Sequence, residues 1–121
     1  PRIAPLGFQL FKFRQQLIGD GCALNAFTRL RFCAPSGQME FETKEGTAKA
    51  PEGYMPWFEV PLRRSRKTPV VFGHWASLGL HRDNNVSCID TGCVWGRELT
   101  ALRLSDGALF QHAYSGRPSP A

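Results

Sequence analysis

Prolines and glycines interrupt this chain every few residues, and no other feature limits its possible folds so severely. Nine Pro and twelve Gly among 121 residues leave little room for the long unbroken helices of a bundle. No apolar run approaches the roughly 20 residues that a membrane helix needs. Strand-length segments joined by tight turns remain, and 42% hydrophobic positions suffice for one modest core. A soluble, strand-rich α+β domain is the expectation.

Periodicity locates its elements. In residues 8–18, Leu10, Phe11, Leu17 and Ile18 fit a helical face, while Phe11 and Phe13 also alternate with charges as a strand would. Gly19-Asp20-Gly21 reads as a turn by composition. Ala23, Leu24, Ala26, Phe27 and Leu30 then recur at near-helical spacing, predicting a short helix to about Arg29 that runs into a strand. "RLRFC APSG QMEFE" predicts a hairpin, because alternation on either side flanks a Pro-Ser-Gly turn. Residues 43–56 read as loop, and Trp57, Phe58 and Val60 as a short apolar island. "VVFG" predicts a buried strand that delivers His74 at its end. "VSCID", "ELTALRL" and "ALFQHA" predict three further strands, the last two joined through "SDG", and the tail from Ser115 is expected to fray.

The net charge is +5, with its excess in "LRRSRK" at residues 62–67. Such a run is a solvated loop, or else a surface for polyphosphate, nucleic acid or another acidic partner. Phe8, Phe11 and Phe13 interleave with Lys12 and Arg14, a pattern suited to stacking single-stranded bases or to filling a core. Cys22, Cys33, Cys88 and Cys93 lack the C-x2-C spacing of a structural zinc site, so thiols in a reducing cytoplasm are expected.

Three segments in order resemble one family: "NAFTRLRFC" at residues 25–33, "FGHWASL" at 72–78, and "IDTGCVWG" at 89–96 followed by "LTALRL". Together they are similar to the carboxy-terminal half of the symmetrical bis(5'-nucleosyl)-tetraphosphatases, within the calcineurin-like metallophosphoesterases. The resemblance covers about residues 23–111. It implies the carboxy-terminal part of a sandwich of mixed sheets flanked by helices, with residues 1–22 as a poorly matched leading segment, 23–114 as a partial domain and 115–121 as a flexible tail. It also implies cleavage of diadenosine tetraphosphate into two ADP by water activated on a divalent metal pair of manganese, cobalt or magnesium.

The resemblance assigns His74 as a metal ligand, where a hydrogen-bonded interior histidine is the plainer alternative. Asp90, in the matched Asp-Thr-Gly turn, either orients a ligating histidine or caps a strand end. Arg29 and Arg31 are tentative phosphate contacts or solvent-facing hairpin residues, placed on one polar face by alternation from Leu30. Asp20 resembles the family's first metal loop without its histidine, and is expected to be a turn residue only. His81 and His112 fall outside the matched motifs and read as surface residues. Arg97 stands where the family often has a second glycine, which leaves its role open.

The family's catalytic loops, G-D-x-H-G, a second G-D, G-N-H-D/E and an H-A-G-like turn, are absent, so the catalytic residues are unknown. A chain holding His74 alone is expected to be inactive unless a separate amino-terminal half supplies the rest. Expected partners are thus a dinucleoside polyphosphate and that separate half, with no membrane and a cytoplasmic location. The rival reading is a non-enzymatic basic module that binds RNA or an acidic partner.

Overall fold

The computed structural model describes residues 20–116. A short helix leads into small sheets. Helix α1 is Asp20–Arg29, followed by strands β1 Phe32–Cys33, β2 Met39–Glu40, β3 Met55–Pro56 and β4 Val70–Phe72. Then come β5 His81–Asp83, β6 Val86–Cys88, β7 Glu98–Leu102 and β8 Leu109–Ala113. Three sheets result, ordered β2-β1-β3, β4-β6-β5 and β7-β8. The fold is strand-rich α+β with a mixed sheet, since β4 and β6 run parallel while the other pairs run antiparallel.

Helix α1 runs to Arg29 as its periodicity predicts, but it starts at Asp20, where composition predicted a turn. Asp is as favourable in the first turn of a helix, near the positive end of the macrodipole, as in a turn. Gly21 costs about 1 kcal/mol against alanine, an amount that the apolar spacing beyond it can offset. Ala26 and Leu30 are buried, while Leu24 and Phe27 on the same helix remain exposed. The ambiguous segment at residues 8–18 and the leading part of 1–22 lie outside the described residues, as does the end of the tail.

The predicted hairpin forms, with Phe32 opposite Glu40 and Cys33 opposite Met39. Gly37 closes its turn at φ 91, a region that only glycine enters readily, and donates to the Ala34 carbonyl at 2.8 Å. The β7-β8 hairpin forms as well, pairing Leu102 with Leu109 across the turn at Asp106. The β5-β6 hairpin went unread in the sequence. Its two loop residues, Asn84 and Asn85, both have positive φ (49 and 63), the geometry of a type I′ turn that asparagine tolerates.

The core gathers Leu30, Phe32, Cys33, Trp57, Phe58, Val70, Trp75, Val86 and Cys88, drawn from the first two sheets and the turns between them. Its aromatic rings meet edge to face: Phe32 with Trp75 at 5.2 Å, Trp57 with Phe58 at 5.4 Å and Trp57 with Phe72 at 5.1 Å.

"LRRSRK" is not the uniformly solvated loop that its charge suggested. Arg63 is only 8% exposed and Ser65 only 2%. The Arg63 guanidinium donates to the Phe58 carbonyl at 3.1 Å, to Ser65 Oγ at 2.7 Å and to the Asn84 carbonyl, and it lies over the Trp57 ring. Burial, and then the nearby Arg66, push its pKa below the usual arginine value. One of the run's charges is therefore a staple between the Trp57–Glu59 turn and the β5-β6 hairpin. Nor is His81 a plain surface residue. It is half-buried 4.8 Å from Phe58, with a buried Nε2 that has no hydrogen-bond partner.

Phe72 is half-buried and packs on Trp57 and Phe58. Phe72→Ala should therefore cost about 2 kcal/mol, less than the roughly 3–5 of a fully buried phenylalanine. Urea denaturation checks this, and an unchanged midpoint would show that β4 does not belong to the core.

Candidate functional site

Strands β4 and β6 are neighbours in parallel, with Phe72 opposite Cys88, so both chains leave the sheet at the same end. The pairing continues one step further, as Ile89 N–H donates to the Phe72 carbonyl at 3.1 Å. His74 and Asp90 follow directly, and a Cβ added to Gly73 would lie 3.7 Å from the Asp90 Cβ. The carboxyl ends of parallel strands are where open α/β sheets gather their ligands.

His74 is exposed, with φ 61, a left-handed conformation that costs a non-glycine residue roughly 1–2 kcal/mol. Its neighbours hold it there. Trp75 is buried at 1% exposure and donates from Nε1 to the Glu45 carbonyl at 2.9 Å. Ser77 Oγ donates to the Lys44 carbonyl at 2.7 Å, and Leu78 N–H to the Trp75 carbonyl at 3.0 Å. Non-glycine residues in this conformation concentrate at functional sites, which makes the strain at His74 a useful pointer.

Arg31 reaches the same rim from the other sheet. Its Nη2 donates to the His74 carbonyl at 2.8 Å and stands 3.5 Å from His74 Nδ1. Burial lowers its pKa, Arg29 lowers it further, and Asp90 and Glu40 pull it partly back. Arg31 Nε is buried without a partner. The rim thus brings His74, Asp90 and Arg31 together.

Arg29 is elsewhere. As the last residue of α1 it takes the Asn25 side chain as acceptor at 3.1 Å and lies over the Phe41 ring. Alternation from Leu30 placed it beside Arg31. The helix extends to Arg29 and breaks that alternation.

Asp90 is half-buried, and its Oδ1 accepts from Gly92 N–H at 3.1 Å, so the strand-end cap is formed. Cys88 lies beneath, its thiol pKa raised chiefly by burial. Thr91 Oγ1 donates to the Glu98 carbonyl at 2.7 Å and is hydrogen-bonded to Thr100 Oγ1 at 2.6 Å, pinning the loop to β7.

Arg97, whose role the sequence left open, braces two loops. Its Nη2 donates to the Ala76 carbonyl at 2.8 Å, and its guanidinium covers Gly92 so closely that a Cβ there would come within 2.3 Å of Nε. Glycine is required at that position, where φ is also 74. No sequence pattern announced this contact.

A metal does not fit these residues by themselves. Among the described residues no three His, Cys, Asp or Glu side chains gather closely enough to hold an ion. The Arg31 guanidinium, 3.5 Å from His74 Nδ1, also sets a positive charge beside that nitrogen, which disfavours a cation there. His112 is exposed on β8, opposite Leu99 of β7. Among the described residues no helix is long and apolar enough to cross a membrane.

The strain at His74 is testable without any ligand. His74→Gly should be more stable than His74→Ala by about 1 kcal/mol, since only glycine relieves the positive φ. Thermal denaturation of the two variants checks it. An alanine variant of equal or greater stability would contradict the left-handed conformation.

No protein-family profile matches the chain. Over 84 residues it is 56% identical to the symmetrical bis(5'-nucleosyl)-tetraphosphatase of Burkholderia thailandensis, covering 69% of this chain and 30% of that protein. The proteins of the same name from Burkholderia mallei and Burkholderia pseudomallei match to the same extent, 56% over 84 residues. The chain thus spans about 30% of the length of the curated relatives it matches. Over those 84 residues it is similar to the carboxy-terminal part of the symmetrical bis(5'-nucleosyl)-tetraphosphatases.

Proposed function

We propose that this chain carries the carboxy-terminal part of a hydrolase that cleaves diadenosine tetraphosphate symmetrically into two ADP. The carrying observation is the meeting of His74, Asp90 and Arg31 at one end of the β4-β6 pair, alongside the 56% identity to proteins named for that activity. In this reading residues 23–114 are part of a calcineurin-like metallophosphoesterase sandwich. The remaining residues of the site come from the length that the relatives have in addition. The protein acts on its nucleotide in the cytoplasm.

Each rim residue has a role that its surroundings suit. His74 offers one imidazole to a divalent metal site whose other ligands lie outside the described residues. A divalent ion held there, manganese, cobalt or magnesium, would supply the activation of water. Asp90, fixed by the Gly92 amide, orients an imidazole beside it. Arg31 is the phosphate contact, a charged fork already anchored at one nitrogen. Arg29 is less suited, being engaged with Asn25 and Phe41. Strand β4 lies at the edge of its sheet, beside a groove of about 450 Å³ whose lining joins Phe27, Leu30, Trp57 and Phe72 to Arg29 and His74. An open strand edge beside a groove is a suitable seat for an additional segment.

Mixing this chain with the separately made amino-terminal part of a relative, plus manganese, tests the proposal through ADP release from diadenosine tetraphosphate. The chain alone should stay at background and the mixture should turn over. Asp90→Asn should then lower the rate about 10–100-fold, and His74→Ala by more. Turnover by the chain alone, or indifference to His74→Ala, would refute the proposed roles. Salt-sensitive RNA binding with no hydrolysis in any mixture would favour the basic-module reading instead.

A further inference from the structure

The basic run at residues 62–67 holds a charge that neither the core nor the rim explains. Arg63 is only 8% exposed, and an arginine so deeply buried is ordinarily paired with a carboxylate. This guanidinium meets neutral oxygens instead, those of Phe58, Ser65 and Asn84, which leave part of its donor fork unused. The neighbouring charge that acts on it is a second positive one, since Arg66 adds to burial in lowering its pKa.

Local structure keeps these like charges together. Arg66 donates to the Arg63 carbonyl from its backbone N–H and from Nη1, both at 3.2 Å. The Asn85 side chain donates to the Arg66 carbonyl at 3.3 Å, and Thr68 N–H to the Ser65 carbonyl at 2.9 Å. Both arginines line one groove of about 460 Å³, with Phe58, Val60 and Asn84. Its lining includes a single carboxylate, Glu59, against the two guanidinium groups. Arg66 and Asn84 precede β4 and β6, so the groove lies where this parallel pair begins, while the His74 rim lies where it ends.

We infer that this groove binds a diphosphate group, as free pyrophosphate or as the end of a nucleoside diphosphate. Two guanidinium groups held near each other repel, and an anion beside both turns that repulsion into attraction. Their planar forks match phosphate oxygens, and Asn84 adds a side-chain amide at the same place. The cations share one groove instead of following a stripe, which suits a compact anion better than a nucleic-acid backbone. The site is separate from the proposed hydrolysis at the rim and does not depend on it.

Titration of the full chain with pyrophosphate and with ADP, followed by NMR at the Arg63 Nε–H and the Asn84 side-chain amide, tests the inference. Both signals should shift and saturate. Arg66→Gln, a change at an exposed position, should weaken the affinity read at Arg63 about tenfold. Glu59→Gln should tighten it about threefold, and neither variant should alter any response read at Arg31 on the rim. Saturation by pyrophosphate at least as tight as by ADP assigns the free anion, and tighter saturation by ADP assigns the nucleotide. Shifts that grow without saturating, or an affinity at Arg63 indifferent to both substitutions, would overturn the site. Binding of single-stranded RNA through Arg66 with no response to either small anion would overturn it in favour of a nucleic-acid surface. A response to the anions at Arg31 alone would overturn it while leaving the rim as a phosphate site.

Discussion

The burial of Trp75 is the interaction on which the rest depends. Its ring packs edge to face on Phe32 from one sheet and lies 6.2 Å from Phe58, so it closes the junction between elements that are otherwise only two or three residues long. Losing such a ring costs about 3–5 kcal/mol, several times the strain at the preceding residue. Because the indole must point inward, the residues beside it take what conformation remains. His74 is turned out at positive φ, and Ala76 presents its carbonyl to Arg97. The rim geometry is a consequence of core packing one residue away.

Arginine serves as the second organising device. Arg31, Arg63 and Arg97 each direct a guanidinium at backbone carbonyls, joining the sheets and loops that short strands cannot join alone. Arg103 and Asp106 form an exposed ion pair, whereas these staples work by charge-assisted hydrogen bonding to neutral oxygens. Burial, and in each case a neighbouring arginine, lowers the pKa of Arg31 and Arg63. A basic net charge, which first suggests an acidic partner, is thus spent in part on holding the molecule together.

Much of this was legible in the sequence where local chemistry decides local structure. The Pro-Ser-Gly turn, the hairpin around Asp106, and the strands ending at Phe72 and Cys88 all follow from alternation and turn residues. The Asn84-Asn85 turn was equally readable, since paired asparagines tolerate the positive φ that a two-residue hairpin needs. Other features depend on residues far apart in the chain. Arg63 looks like any surface arginine until Asn84, 21 residues on, supplies its acceptor. Arg31 and Arg29 look equivalent until the helix extends through Arg29, which leaves Arg31 hydrogen-bonded to His74 and Arg29 on the adjoining groove. The site residues were legible through the resemblance of their motifs, not through periodicity, which has no means of bringing residue 74 beside residue 90.

The central claim is that the β4-β6 rim is the functional end of the molecule and that His74 is its metal-facing group. With three histidines in the chain, manganese-induced broadening of imidazole NMR signals tests this directly, once the amino-terminal part of a relative has been added. The account predicts that the His74 ring signals vanish at manganese concentrations that leave those of His112 sharp. Broadening of His112 with His74 untouched, or equal broadening of all three, would contradict it.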